Sequence, residues 1–204
     1  MVSTMQKLTE TAIKNLVRRG FDARFFKTPQ EALDFLLGSV GSCAVGIGGS
    51  MTVRELGWFA PLSARGETIW HWEDASADAL ERENAAPCYL TSANAVSAEG
   101  AIINIDGNGN RVCATSFGRG KKVFFVCGEN KVERDIASAV ARARNVAAPK
   151  NASRLARKTP CAAKADACRD CLSPERICRV MSVTEYPIPG MEFHILFIAG
   201  SWGY

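Results

Sequence analysis

Apolar positions recur along this chain with two periods, and the periods alternate. Leu8, Ala12, Leu16 and Val17 fall on one helical face, and Gly20 is placed to stop a helix after Arg19. From Phe21 to Phe26 the period changes to two, with Phe21, Ala23 and Phe25 on one side, which predicts a strand. Thr28-Pro29-Gln30-Glu31 then reads as a helix start, with Thr28 as cap, Pro29 in the first helical position and Glu31 closing a capping box. Ala32, Leu33, Leu36 and Leu37 follow on its inward face. Cys43 to Ile47 is a short apolar strand that runs through Gly48-Gly49-Ser50 into a helix containing Thr52, Val53, Leu56 and Trp58. Further strands are predicted at Glu67 to Trp72, Ala101 to Ile105, Arg111 to Ala114 and Lys122 to Cys127. Further helices are predicted at Ala75 to Ala85 and Lys131 to Asn145, the second with Val132, Ile136, Ala139, Val140 and Ala143 inward.

Strands alternating with helices predict an α/β fold, one domain over residues 1–204 with a mainly parallel sheet flanked by helices on both faces. Val180 to Tyr186 and Met191 to Ile198 are strand-like with no helix between them, which predicts an antiparallel pair of terminal edge strands within residues 180–204. No internal repeat or low-complexity segment interrupts the pattern.

Composition changes this picture little. The 204 residues are 47% hydrophobic and 23% charged, ordinary values for a globular chain. A net charge of +4 is too small to argue for a nucleic-acid partner. No apolar run reaches the length of a membrane span and the N-terminus carries no signal-peptide core, so neither a membrane nor export is expected. Eight cysteines without an export signal point to a reducing, cytoplasmic setting, where thiols bind metal more often than they pair. The basic residues are uneven: Arg142, Arg144, Lys150, Arg154, Arg157 and Lys158 lead into a cysteine-rich segment. They form either a solvated helix face or a cationic surround for a thiolate centre or an acidic ligand.

That segment, residues 159–179, carries the sharpest chemistry. Cys161, Cys168, Cys171 and Cys178 are spaced C-x6-C-x2-C-x6-C, a CxxC flanked symmetrically by two outer thiols. Four soft thiolates select zinc or an iron–sulfur cluster, such as a 4Fe–4S centre. Pro160, Asp170 and Pro174 mark the stretch as a loop without a core of its own, which a bound metal would order; the alternative is a set of free or disulfide-paired thiols.

Three further segments suggest a ligand site. Gly48, Gly49, Ser50 and Thr52 follow a buried strand and open a helix, where glycines let the backbone approach a small anion and the amides and hydroxyls can bind it. The turn matches neither the dinucleotide fingerprint nor a P-loop, and tight strand–helix packing is its other reading. Thr91 to Gly100 is a polar run, with Asn94 a binding candidate and Glu99 either an acid/base catalyst or a turn cap. Asp106-Gly107-Asn108-Gly109-Asn110 reads as a hairpin turn, with Asp106, Asn108 and Asn110 able to face the same crevice as the glycine turn. His71 and His194 stand alone in strand-like surroundings and read as core or surface residues, and Cys43, Cys88, Cys113 and Cys127 as packing residues.

Together these segments resemble the lactate-utilisation (LUD) domain family. The resemblance rests on Gly48-Gly49-Ser50-Met51-Thr52 with Glu55-Leu56-Gly57, on Thr91 to Ala95, on Glu99-Gly100 with Asn104 to Val112, and on Gly128 to Val132. Asn145 to Pro149, Thr159-Pro160-Cys161 and Cys168 to Cys178 continue it. It implies a fold similar to the sugar-phosphate isomerase and CoA-transferase class, and a place in systems that oxidise lactate to pyruvate with iron–sulfur proteins. The chain would then be an accessory or electron-transfer component with redox partner proteins. The other readings are an enzyme acting on a small phosphorylated or acyl substrate, or a regulatory protein holding structural zinc. In place of the acidic tail expected of such a chain stands Ala199-Gly200-Ser201-Trp202-Gly203-Tyr204.

Overall fold

The computed structural model describes residues 4–204, so the first three residues of the expected 1–204 domain lie outside the description. In chain order the elements are α1 (Thr4–Arg18), β1 (Asp22–Phe26), α2 (Pro29–Val40), β2 (Val45–Ile47), α3 (Met51–Leu56), α4 (Phe59–Ser63), β3 (Thr68–Ile69), α5 (Ala79–Ala85), β4 (Cys88–Thr91), β5 (Ala95–Ser97), β6 (Ile102–Asp106), α6 (Asn110–Ser116), β7 (Lys122–Gly128), β8 (Val132–Glu133), α7 (Ile136–Arg142), α8 (Ala148–Arg154), β9 (Val180–Thr184) and β10 (Glu192–Ile198). A π-helical turn over Ala143–Ala147 joins α7 to α8.

The main sheet has six strands in the order β1-β10-β7-β4-β2-β3, and every pairing within it is parallel. A smaller sheet, β8-β5-β6-β9, lies beside it, with β5 and β9 antiparallel to β6. Residues of β7 alternate between two cores. Phe124 and Val126 join Leu36, Ile47, Val53 and Trp58 on one face. Val123, Phe125 and Cys127 join Leu16, Phe21, Val96, Ile102 and Phe193 on the other. The expected α/β layering is therefore present, and the Thr28–Glu31 capping box opens α2 as read.

Three local expectations are corrected. The terminal strands are not an antiparallel edge pair: β10 lies inside the main sheet, parallel to both β1 and β7, and β9 pairs with β6 in the smaller sheet. The run from Ile195 to Ile198 is apolar on both faces, and a strand of that kind is covered on both sides, whereas an edge strand alternates. Arg111 to Ala114 belongs to α6 and not to a strand, so Asp106 to Asn110 is a strand-to-helix turn and not a hairpin. Asp106 sets this turn by accepting the Val112 amide on Oδ2 at 3.0 Å. Finally, Lys131 does not begin a helix; it ends a 3-10 turn that leads into β8.

Candidate functional site

Parallel strands deliver their C-terminal ends to one edge of the sheet, and a crevice opens there. Its volume is about 310 Å³, at the low end of what small-molecule sites use. Gly49, Ser50, Asn94, Asp106, Asn108 and Asn110 all line it, so the two turns singled out in the sequence meet at one place.

They do not contribute equally. Gly48 stands behind the wall: a Cβ there would lie 2.4 Å from the Tyr89 hydroxyl and 2.9 Å from Arg111 Cγ, so this glycine serves close packing. At Gly49 the same construction meets Trp72 and His71 at 3.4 Å or more, ordinary contact on the crevice side. Ser50 caps α3, accepting the Val53 amide at 3.2 Å. Thr52 is buried, and its hydroxyl lies 3.2 Å from the Trp202 carbonyl oxygen. Asn94 Oδ1 accepts from the Ile105 amide at 2.7 Å and from Arg111 Nη2 at 3.3 Å. Glu99 lies on the surface, outside the crevice lining, where it accepts the Ile136 amide at the start of α7 at 2.8 Å.

Cations dominate the walls. Arg111 is held by Asp106 Oδ1 at 3.2 Å and by the Ile105 carbonyl. Arg154, 4.8 Å over the Trp72 ring, and Arg157 complete one side, so part of the basic run that precedes the cysteines belongs to this site. Arg142 sits behind the wall, donating to the carbonyls of Asn94 at 2.6 Å and Asn130 at 3.0 Å.

Lys131 was not legible as a site residue. It lines the crevice from the end of β7 and is only 4% exposed. Its ammonium donates to Thr52 Oγ1 and Ser92 Oγ, both at 2.8 Å, and to the Ala93 carbonyl at 3.2 Å. All three protons thus go to neutral oxygens, and no carboxylate pairs with it among the described residues. Burial, reinforced by Arg142 and Arg111 and opposed by Cys127 and by the carboxylate of Glu55, pushes its pKa down to about 8. A buried cation with no carboxylate in direct contact, at a crevice wall, is poised to favour an anion.

His71 was likewise read as an isolated residue, and the structure pairs it. Its Nδ1 lies 2.6 Å from Glu83 Oε2, and Glu83 is fully buried. The same carboxylate accepts the His71 amide at 3.3 Å, and its other oxygen accepts Asn110 Nδ2 at 3.0 Å. The position just past the end of β3, beyond Trp70, was the signal available for His71.

The cysteine segment packs beside the crevice. Ile177 lines it and backs Gly107, where a Cβ would lie 3.1 Å from the Ile177 carbonyl oxygen. Cys161, Cys168, Cys171 and Cys178 are free thiols of intermediate exposure. The Cys168 amide donates to Asn145 Oδ1 at 3.1 Å, and Arg176 Nη1 donates to the Cys171 carbonyl at 2.8 Å. Arg176 also stands near sulfur: Cys178, first by hydrogen bonding, and then Asp170 and Cys171 hold its pKa up. As a donor set the four thiols suit a soft metal or cluster. Among the described residues, no group of three His, Cys, Asp or Glu side chains is arranged to hold one metal ion. Also among the described residues, no helix is long and apolar enough to cross a membrane.

The LUD domain family model matches residues 9–198. A crystal structure of a DUF162 family protein from Deinococcus radiodurans is similar in fold, with a TM-score of 0.55 at 12% identity, covering 97% of this chain and 99% of that one. No curated protein matches the sequence.

Proposed function

The chain belongs to the LUD domain family, and on that basis we propose that it serves lactate utilisation by holding a small organic anion, of the 2-hydroxy or 2-oxo acid type, in the cationic crevice. The observation that carries this reading is Lys131, buried at the crevice wall with three neutral acceptors and no acid. Keeping an ammonium there costs stability, and a carboxylate or phosphate bound in the crevice offsets that cost by coulombic attraction, without displacing the three protein oxygens that hold the ammonium. Ser92 and Thr52 place hydroxyls around the same ammonium. Arg111, Arg154 and Arg157 supply further positive charge, and the volume suits a three- or four-carbon acid or a phosphate better than a whole cofactor.

The accessory or electron-transfer role includes a metal centre on the four cysteines, iron–sulfur or zinc. A cluster would supply one-electron transfer and zinc would order the loop; the residues that would hold either are Cys161, Cys168, Cys171 and Cys178. The chain's own part is to bind and orient the anion beside that loop. The reading of an enzyme on a small phosphorylated or acyl substrate has support from the same crevice, since it needs the same anion site.

Thermal-shift and calorimetric titrations with lactate, pyruvate and inorganic phosphate test the proposal. Saturable binding that Lys131→Met abolishes is expected. Identical behaviour of wild type and variant toward all three anions would sink it.

A further inference from the structure

The Glu83–His71 pair lies outside anything that anion binding needs. A fully buried carboxylate that accepts three N–H groups fixes one imidazole, and Nδ1, facing that carboxylate, carries the proton in the neutral ring. Nε2 is then the basic nitrogen. It points toward the crevice side, 3.7 Å from where a Gly49 Cβ would stand, and no protein group hydrogen-bonds it among the described residues. The other histidine is a useful contrast. His194 Nδ1 meets Asp22 at 2.9 Å, its ring stacks on Phe124, and its Nε2 is out of solvent inside the sheet layer. Both histidines have a carboxylate, and His71 is the one that lines this crevice.

We infer that His71 is a general base of this crevice, oriented by Glu83 and Asn110, which moves a proton at the carbon next to the carbonyl of a bound 2-oxo acid. This deepens the anion-site reading and rests on it. His71 Nε2 takes the proton, the C–H electron pair becomes the C=C of an enolate, and the carbonyl π pair moves onto oxygen. The Lys131 ammonium and the Ser92 hydroxyl beside it lower the cost of charge in the same crevice. The imidazolium then returns a proton to carbon, so the cycle needs no oxidant or other reactant. Lys131 itself is not the base, because its three N–H directions are all taken by protein oxygens. Glu83 acts through His71 and is a positioning residue.

The test is exchange of the methyl protons of pyruvate with solvent deuterium, followed by NMR on the full chain, with pyruvate binding measured separately. Exchange above the protein-free rate is expected, falling about 10²–10⁴-fold in His71→Gln. Glu83→Gln should lower the exchange rate at saturating pyruvate and shift the imidazole ¹⁵N signals of His71, which a merely structural role would not do. Because the chain has two histidines, those signals are assigned by one substitution. Ethoxyformylation of native wild type gives a readout independent of variant folding: His71 should react ahead of His194, and saturating pyruvate should block it. Protection by phosphate as well marks a general anion site, and protection by pyruvate alone marks a carboxylate site; both support the inference. Pyruvate that binds without faster exchange, exchange unchanged in His71→Gln, or an unreactive His71 overturns the base assignment while leaving the anion site standing. Absence of pyruvate binding removes both.

Discussion

Lys131 makes the most quantitative prediction. Its pKa falls from the usual 10.5 to about 8, chiefly because burial penalises the charged form. A drop of that size corresponds to ~3 kcal/mol of destabilisation while the lysine is charged in both the folded and the unfolded chain. The sign follows from proton counting. Below about pH 8 both states hold the proton and the penalty is complete. Between about 8 and 10.5 the unfolded chain holds more proton than the folded one, so this residue's contribution to stability rises with pH. Above 10.5 both states are neutral and the penalty is gone. Lys131→Met keeps most of the side-chain volume and removes the charge, so the variant should lack this rise. The assay is chemical denaturation of wild type and variant from pH 7 to pH 10.5 without added anion, plotted as the difference between the two. That difference should close by ~3 kcal/mol in favour of wild type as pH rises. Near pH 7, each kcal/mol is worth about 2–4 °C in melting temperature for a chain of this size. A flat difference across the range would refute the uncompensated charge, and the anion-binding argument would lose its physical basis.

Two shorter predictions concern the turn and the loop. Gly48→Ala should cost about 1–3 kcal/mol by overpacking, because its Cβ meets the fully buried Tyr89 at 2.4 Å, whereas Gly49→Ala should change stability little and weaken anion binding; equal denaturation midpoints for the two would contradict the packing. Cys171→Ser should reduce the metal content of protein prepared without oxygen and speed proteolysis within residues 159–179, leaving the main melting transition in place. Brown protein with broad absorbance identifies an iron–sulfur centre and colourless protein zinc, and unchanged metal content in the variant removes Cys171 from the ligand set.

The fold was legible where local and tertiary demands agree. Thr28 and Glu31 satisfy each other across one helical turn, so the start of α2 depends on nothing distant. β7 was legible as an apolar run, but the place of β10 was not, because strand order is decided by which runs need cover on both faces. Within Met191 to Ile198, the unbroken apolar run from Ile195 to Ile198 was the trace of its covered place. Arg111 to Ala114 reads as a short strand, yet Asp106 captures the Val112 amide and Gly109 adopts a φ of +80°, which turns the chain into α6. The site divides along the same line. Gly49, Asn94 and the Asp106 turn announce themselves by composition between apolar runs. His71 and Glu83 are separated by 12 residues and meet only when α5 packs against β2, where Gly46 admits the Glu83 backbone. Lys131 carries no local mark, since its burial follows from Thr52, Ser92 and the terminal tail closing around it.

The tail and the cysteine segment give these separate features one logic. Gly203 has a φ of +64°, and a Cβ there would meet Thr52 Oγ1 at 2.4 Å and Lys131 Nζ at 3.3 Å, so the tail lies directly against the buried ammonium. Its backbone is pinned there, Gly203 N–H donating to Glu55 Oε2 at 2.6 Å. On the other side, Arg179 N–H donates to the Asp106 carbonyl at 2.9 Å, and Asp106 in turn holds Arg111. Cys178 packs against the small core of Ala95, Ile103 and Ile105. Order in the segment that carries the thiols is therefore tied, through Asp106, to the placement of a guanidinium in the crevice. If a group that orders that loop changes the free energy of fixing Arg111, then by linkage an anion that fixes Arg111 changes the affinity of the loop for that group by the same factor. Such reciprocity requires no contact between the two ligands, only the shared backbone of the turn after β6. That turn, between the cysteines and the cations, is where coupling between the loop and the crevice would have to pass.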